Sequence, residues 1–369
     1  MKIAINASIL GTQPTGTNVY TEQVLQALAR LPEASKQHWE LWTPRILNLP
    51  PEWKQHLLPS NLGRSTHKRG NAIRRFFWNQ RVLPKHLQGF DRCYCPTYNT
   101  STRIPDQIIT IHDLIALRYP RQHPFQYAYC RWVLPGLLRR CHRIIAISEF
   151  TRQEIIQHYR IPASKIVVVP NGVDHTLYQA NSNPADSKVL HRHQLENYAL
   201  VVGATFPHKN IEVLLRAWEN SGFGKELQLA VIGAPNAYVQ SLRAQAQHMG
   251  IEASIQFLGY VEAVDLPALY RQAQMLLYPS RCEGFGLPLL EAMACGCPVI
   301  ASNTSSLPEV GDTAALYADP EDPVQWRNQM QRILQDHTLR PSLVQKGLER
   351  VQLFTWENTA RGIARVLGV

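Results

Sequence analysis

Short apolar runs alternate with helically spaced apolar positions along most of this chain. The run IAINASIL (3–10) ends in a polar, glycine-containing loop, and TEQVLQALARL then places Val24, Leu25, Leu28 and Leu31 at helical spacing. That reads as strand, loop, helix. HWELWTP, FDRCYCPTY and QIITIHDL read as further strands. RIIAISEFTRQEIIQHY is a strand running into a helix with Ser148 as N-cap, and KIVVVPNGVD is a strand closed by an Asn-Gly turn. The polar stretch 178–197 lacks a period and is expected to be a linker. Alternation then resumes, with strands in YALVVGA, LQLAVIG, SIQFLG, MLLYPS and PVIAS and helices between them. Helices follow from Val324 to Leu353 and in ENTARGIARVLGV.

Strands alternating with helices predict an α/β chain with mostly parallel sheets. The length of 369 residues favours two domains. Their expected spans are 1–180 and 188–353, with 354–369 a final helix free to pack back on the first domain. In open sheets of this kind, ligands are met beyond the carboxyl ends of the strands. The loops there are 11–18, His112-Asp113, Ser148-Glu149, Asn171-Gly172, 203–210, Gly233-Ala234 and 282–291. Asp113 and Asn171 are acceptor-side candidates, with Asp113 also suited to capping a turn.

Composition is ordinarily globular, 45% hydrophobic and 18% charged. No apolar stretch is long enough to predict a membrane-spanning helix. The start, MKIAINASIL, lacks a signal-peptide pattern and reads as a buried first strand, so the chain is expected in the cytoplasm. Seven cysteines include two C-x-C pairs, Cys93/Cys95 and Cys295/Cys297, without a matching histidine cluster. Reduced, buried thiols fit better than a zinc site.

The net charge of +10 changes the picture of the partners. It suits an anionic small ligand or an anionic surface. No acid stands between Glu52 and Asp91, whereas Lys54, Arg64, Lys68, Arg69, Arg74, Arg75, Arg81 and Lys85 all do, around Phe76, Phe77 and Trp78. Segment 64–85 is open to three readings: an interfacial stretch on anionic lipid at the inner face of the membrane, a site for a polyprenyl-diphosphate acceptor, or a solvated basic loop. No recognition motif accompanies the charge, so nucleic acid is not an expected partner.

The stretch CEGFGLPLLEAMACGCPVIAS (282–302) carries the densest chemistry. Pro288 sits at an early helical position, so a helix begins near Leu287, and its first N–H groups form an anion site. Gly284 and Gly286 leave room for a phosphate near the main chain, with Phe285 between them. Glu291, one turn into the helix, suits the two hydroxyls of a ribose or else the helix dipole, and Glu283 suits sugar hydroxyls. In GATFPHKN (203–210), Lys209 is placed to pair with a phosphate, Thr205 offers a hydroxyl, and His208 stands beside the lysine. Gly233 closes the next strand.

These residues resemble the retaining glycosyltransferases of family 4 (glycosyl transferases group 1), which have the GT-B fold. EGFGLPLLEAMACGCPVIAS resembles that family's E-x7-E region, and GATFPHKN its G-T-x-x-P-R-K-N segment. TIHDLIALRYP, ISEFT and VVPNGVD resemble its first-domain segments in the same order. The resemblance covers essentially the whole chain. It implies two Rossmann-like domains facing a cleft, with a nucleotide-sugar donor (UDP- or GDP-sugar) bound in the second. Glu291 would hold ribose and Glu283 the donor sugar. Lys209 and the amides near Gly286 and Leu287 would hold the diphosphate. His112 would lie near the sugar's C6 hydroxyl and Gly16 near phosphate and sugar. Many relatives have an arginine where Thr205 stands, so the diphosphate leans on Lys209, the helix and His208.

The implied reaction is hexosyl transfer, of mannosyl or glucosyl type, to a saccharide or lipid-linked saccharide in polysaccharide assembly, with retained configuration and no nucleophilic carboxylate. No Asp-x-Asp stands at a strand end, and no metal or other cofactor is expected. A different GT-B enzyme, such as a sugar-nucleotide epimerase, or an inactive nucleotide-sugar-binding protein are the alternatives. The absence of G-x-G-x-x-G after the first strand argues against a Rossmann dehydrogenase.

Overall fold

The structure is a computed structural model that describes residues 1–11, 16–59, 62, 69–104, 106–219 and 221–369. It divides into two compact units, Met1–Gly172 with Trp356–Val369, and Val173–Thr355.

The first unit holds a seven-stranded sheet: β1 (Lys2–Asn6), β2 (His38–Thr43), β3 (Lys54–Leu57), β4 (Arg92–Cys95), β5 (Gln107–Ile111), β6 (Arg143–Ala146) and β7 (Ile166–Val168). Their order is β3-β2-β1-β4-β5-β6-β7, and the described pairings are parallel. Central strands are apolar almost throughout because helices cover both faces: all five residues of β5 are buried. Trp356–Leu367 packs in this unit against Gly16–Ala29, with the rings of Tyr20 and Trp356 6.0 Å apart. Thr359 Oγ1 donates to the Pro170 carbonyl at 2.8 Å.

The second unit has six parallel strands: β8 (Tyr198–Val202), β9 (Gln228–Ile232), β10 (Ile255–Gly259), β11 (Met275–Tyr278), β12 (Val299–Ser302) and β13 (Ala315–Ala318). Their order is β10-β9-β8-β11-β12-β13. The strand order therefore reverses between β8 and β11, where successive connections leave in opposite directions and open a crevice. The helix Ile211–Trp218 follows β8, and Leu287–Ala294 follows β11.

The expected linker 178–197 is corrected by a helix, Asp186–His193, packed on the helix Leu266–Gln272. Its polarity hides one deep anchor: Arg271 donates to both Asp186 oxygens, Nη2 to Oδ1 at 2.5 Å and Nε to Oδ2 at 2.8 Å. The region from Val324 to Leu353 is two helices, Pro323–Gln335 and Leu339–Val351. All seven cysteines are buried and outside disulfides. Among the described residues, no helix is long and apolar enough to cross a membrane.

Candidate active site

The second unit brings the key residues together at its strand reversal. Lys209 ends a 3-10 turn, Pro207–Lys209, just past β8, and Glu283 lies just past β11. Lys209 Nζ contacts Glu283 Oε1 at 2.6 Å, and the Tyr278 hydroxyl at 3.2 Å. Tyr278 itself donates to the same carboxylate oxygen at 3.0 Å. Burial opposes the ammonium, but the adjacent Glu283 outweighs it, and the pKa of Lys209 is raised. Burial likewise works against the carboxylate, and Lys209 overcomes it, so Glu283 is held below its ordinary value. Both groups are charged at neutral pH.

Two features hold Lys209 in place. Asn210 caps its turn in a left-handed conformation (φ 57°). The Asn210 amide donates to the carbonyls of Pro279 at 3.1 Å and Pro320 at 2.6 Å, pinning the turn to the end of β11.

The glycine turn is fastened from the other side. Ser305 Oγ accepts from the Glu283 N–H at 3.1 Å, and Ser306 Oγ donates to the carbonyls of Glu283 and Phe285 at 2.9 and 2.8 Å. Gly286 has φ 113°, and a Cβ there would meet Leu307 Cδ2 at 2.8 Å, so only glycine enters the helix this way. Gly284 is buried beside it. Phe285 is also buried, its ring 5.9 Å from Phe354, and so it packs the core of the unit. Leu287 is the first helical residue. The helix N-terminus carries partial positive charge directly after Glu283.

Glu291 accepts from the Tyr270 hydroxyl at 2.9 Å, and Tyr178 also bonds its carboxylate. Burial raises its pKa against the pull of these two tyrosines.

Other expected donor residues have protein contacts of their own. Thr205 spends its hydroxyl on the Gly203 carbonyl at 3.2 Å. His208 is buried, its ring stacked on Phe206 at 5.8 Å. Gly233 has a packing reason of its own, because a Cβ would lie 2.4 Å from the Ala204 carbonyl oxygen.

In the first unit, His112 follows β5 and is buried. Its Nε2 lies 2.8 Å from the Pro96 carbonyl, which requires the ring to donate there and leaves Nδ1 as an acceptor. The Tyr20 ring packs edge-on at 4.6 Å. Burial pushes the His112 pKa down to about 4 despite the Pro96 bond. Asp113 caps the next turn, accepting from the Ile115 N–H at 3.1 Å. Asn171 is buried, and no partner stands on its Oδ1 among the described residues. Gly16 opens the helix Gly16–Ala29, and the preceding residues 12–15 lie outside the described residues.

Tyr278, Tyr270, Tyr178, Ser305, Ser306 and Asn210 were not singled out from the sequence. Tyr278, the last residue of an apolar strand immediately before the acidic turn, carried a readable signal.

Residues 182–350 match the family described as glycosyl transferases group 1, and residues 14–177 match glycosyltransferase family 4. O-antigen chain mannosyltransferase B of Escherichia coli is 35% identical over 268 residues, covering 71% of this chain and 70% of its own. This chain belongs to the group 1 glycosyltransferases. The glycosyltransferase is also 29% identical over 344 residues to the O-antigen chain mannosyltransferase RfbU of Salmonella typhimurium, covering 90% of each chain. The Anabaena protein HepE, solved in complex with UDP-glucose, superposes with a TM-score of 0.75 at 18% identity, covering 100% of this chain and 99% of its own. That likeness places this glycosyltransferase in the GT-B fold.

Proposed function

We propose that this glycosyltransferase moves a hexosyl group, mannosyl or glucosyl, from a UDP- or GDP-sugar to a saccharide or lipid-linked saccharide, with retained anomeric configuration and no required metal. The observation that carries the reading is the Lys209–Glu283 pair at 2.6 Å, set at the strand reversal and followed by a helix N-terminus. An ammonium and a helix N-terminus suit a diphosphate leaving group. The second oxygen of Glu283 suits sugar hydroxyls. Glu291 suits ribose, and Nδ1 of His112 offers an acceptor to another sugar hydroxyl. The relatives named as mannosyltransferases support mannose as the first sugar to test, and the UDP-glucose complex of HepE supports a uridine donor as the second.

In this reading the anomeric C–O bond to the diphosphate breaks as the acceptor hydroxyl attacks the same face. The acceptor proton passes to the leaving phosphate oxygen. Lys209 and the helix N-terminus stabilise the negative charge that develops there. No protein carboxylate needs to attack carbon.

The test combines GDP-mannose and UDP-glucose transfer assays, run with EDTA, with proton NMR of the product. A retained anomeric centre formed in EDTA supports the reading. An inverted product, or activity lost in EDTA and restored by a divalent ion, overturns the corresponding part. Absence of both nucleotide release and nucleotide-induced thermal shift overturns the whole.

A further inference from the structure

The basic, aromatic segment read from the sequence folds in an unexpected way. Residues 64–68 lie outside the described residues, and Arg69–Arg81 is a helix. Arg75 turns inward, donating to the Leu62 carbonyl at 3.1 Å, and Trp78 packs on the core of the unit. Phe77 and Ile73 point outward, each 49% exposed, with Arg74 and Arg81 also exposed. The Arg81 guanidinium lies 5.4 Å from the Phe77 ring centre.

A second helix, Pro124–Trp132, joins this one. Phe76 meets Tyr129 edge-on at 6.2 Å. On this second helix Phe125 is 58% exposed and Trp132 75%, with Arg131 4.8 Å from the Trp132 ring. Phe125, Ala128 and Trp132 follow helical spacing on one exposed face. No acidic residue occurs from 53 to 90 or from 114 to 148. Two adjoining helices thus expose large apolar side chains, each interleaved with arginine and drawn from acid-free sequence.

We propose that the outer faces of helices Arg69–Arg81 and Pro124–Trp132 form one docking surface for an anionic phospholipid bilayer. It deepens the acceptor side of the proposed function, because a lipid-linked saccharide would be met at that surface. Arginines that pair with lipid phosphates while Trp132, Phe125 and Phe77 enter the interface have the chemistry of an interfacial anchor. Duplex nucleic acid would be served by the charge but would make no use of Phe125 and Trp132, whereas a single strand could stack on them and is therefore a competitor in the test.

Cosedimentation with phosphatidylcholine vesicles, with and without phosphatidylglycerol, tests this directly. Binding is expected only with phosphatidylglycerol. Arg131→Gln and Arg81→Gln are each expected to weaken it on the order of fivefold. Phe125→Ala with Trp132→Ala should weaken it most in high salt, where the charge contribution is screened. Transfer to a water-soluble acceptor without vesicles should stay unchanged in these variants, and it reports on the proposed reaction separately. Absence of binding, equal binding to both vesicle types, indifference to all four substitutions, or tighter binding to single-stranded RNA than to anionic vesicles would each overturn the proposal.

Discussion

The Lys209 ammonium and the Glu283 carboxylate share a 2.6 Å contact although 74 residues separate them in sequence. The sequence assigns these side chains to different parts of a donor. Here the two charges are partnered with one another, so under the proposed function a diphosphate would compete with Glu283 for the cation.

Removing one partner should therefore have opposite effects on stability and on binding. Glu283→Gln leaves a partly buried cation and is expected to cost about 3 kcal/mol of stability. The same change frees Lys209 for the diphosphate, so nucleoside diphosphate should bind as tightly as before or tighter, while turnover falls. Denaturant unfolding, calorimetric titration and initial rates check this. A Lys209→Met, Glu283→Gln double variant should be more stable than the sum of the single losses. The pair also sets a pH window. Glu283 has a lowered pKa, so its contribution is present above the ordinary carboxylate range and is lost as pH falls through its folded value. Lys209 has a raised pKa, so its contribution is present below the ordinary lysine range and is lost only as pH rises through its folded value.

Glu291 should show function opposed to stability. Its pKa is raised in the fold, so the fold favours the protonated carboxyl, and stability from this group falls as pH rises through the folded value. Glu291→Gln is expected to raise the melting temperature or leave it unchanged. It should also weaken nucleotide binding at least about tenfold, through lost charge-assisted hydrogen bonds to ribose. Thermal unfolding with and without UDP or GDP separates the two effects. A lowered melting temperature together with unchanged nucleotide affinity would remove the proposed role.

His112 should not appear in the pH dependence of the rate near neutrality. With its pKa at about 4, the folded His112 is neutral from pH 5 to 8, and because that pKa is depressed its contribution to stability is present above the ordinary histidine value of 6.5 and is lost as pH falls from there through about 4. The profile of kcat is expected to show no ionisation near the ordinary histidine value. His112→Ala should lower kcat about tenfold or more by deleting the Nδ1 acceptor. An inflection near pH 6.5 that vanishes in the variant would contradict a neutral His112.

Gly233, just past β9, lies with its backbone close against Ala204. Gly233→Ala would force Cβ against the Ala204 carbonyl and should cost about 2 kcal/mol or more, read as a lowered denaturant midpoint. Nucleotide affinity of the folded fraction should change little.

The sheets were legible because buried parallel strands are nearly uniform apolar runs, as in QIITI and YALVV. β3, with sequence KQHL, was not, because it is an edge strand with no buried residue. The helix Asp186–His193 was read as linker because only Asp186 and Val189 are buried, and its anchor is an ion pair with Arg271. In the candidate site, each acid and lysine could be nominated from its own loop. Their mutual pairing could not, since it depends on β8 and β11 being neighbours. The tyrosines on Glu291 were hidden for the same reason: Tyr270 comes from a helix and Tyr178 from the stretch read as linker.

The helix Trp356–Leu367 belongs to the unit that begins the chain. The unit whose first strand leaves the ribosome earliest therefore lacks its last helix until the whole of Val173–Thr355 has been synthesised. Until then the flank of Gly16–Ala29 that this helix covers stays open in the nascent first unit. The unit made second is the one that has its complete set of elements first.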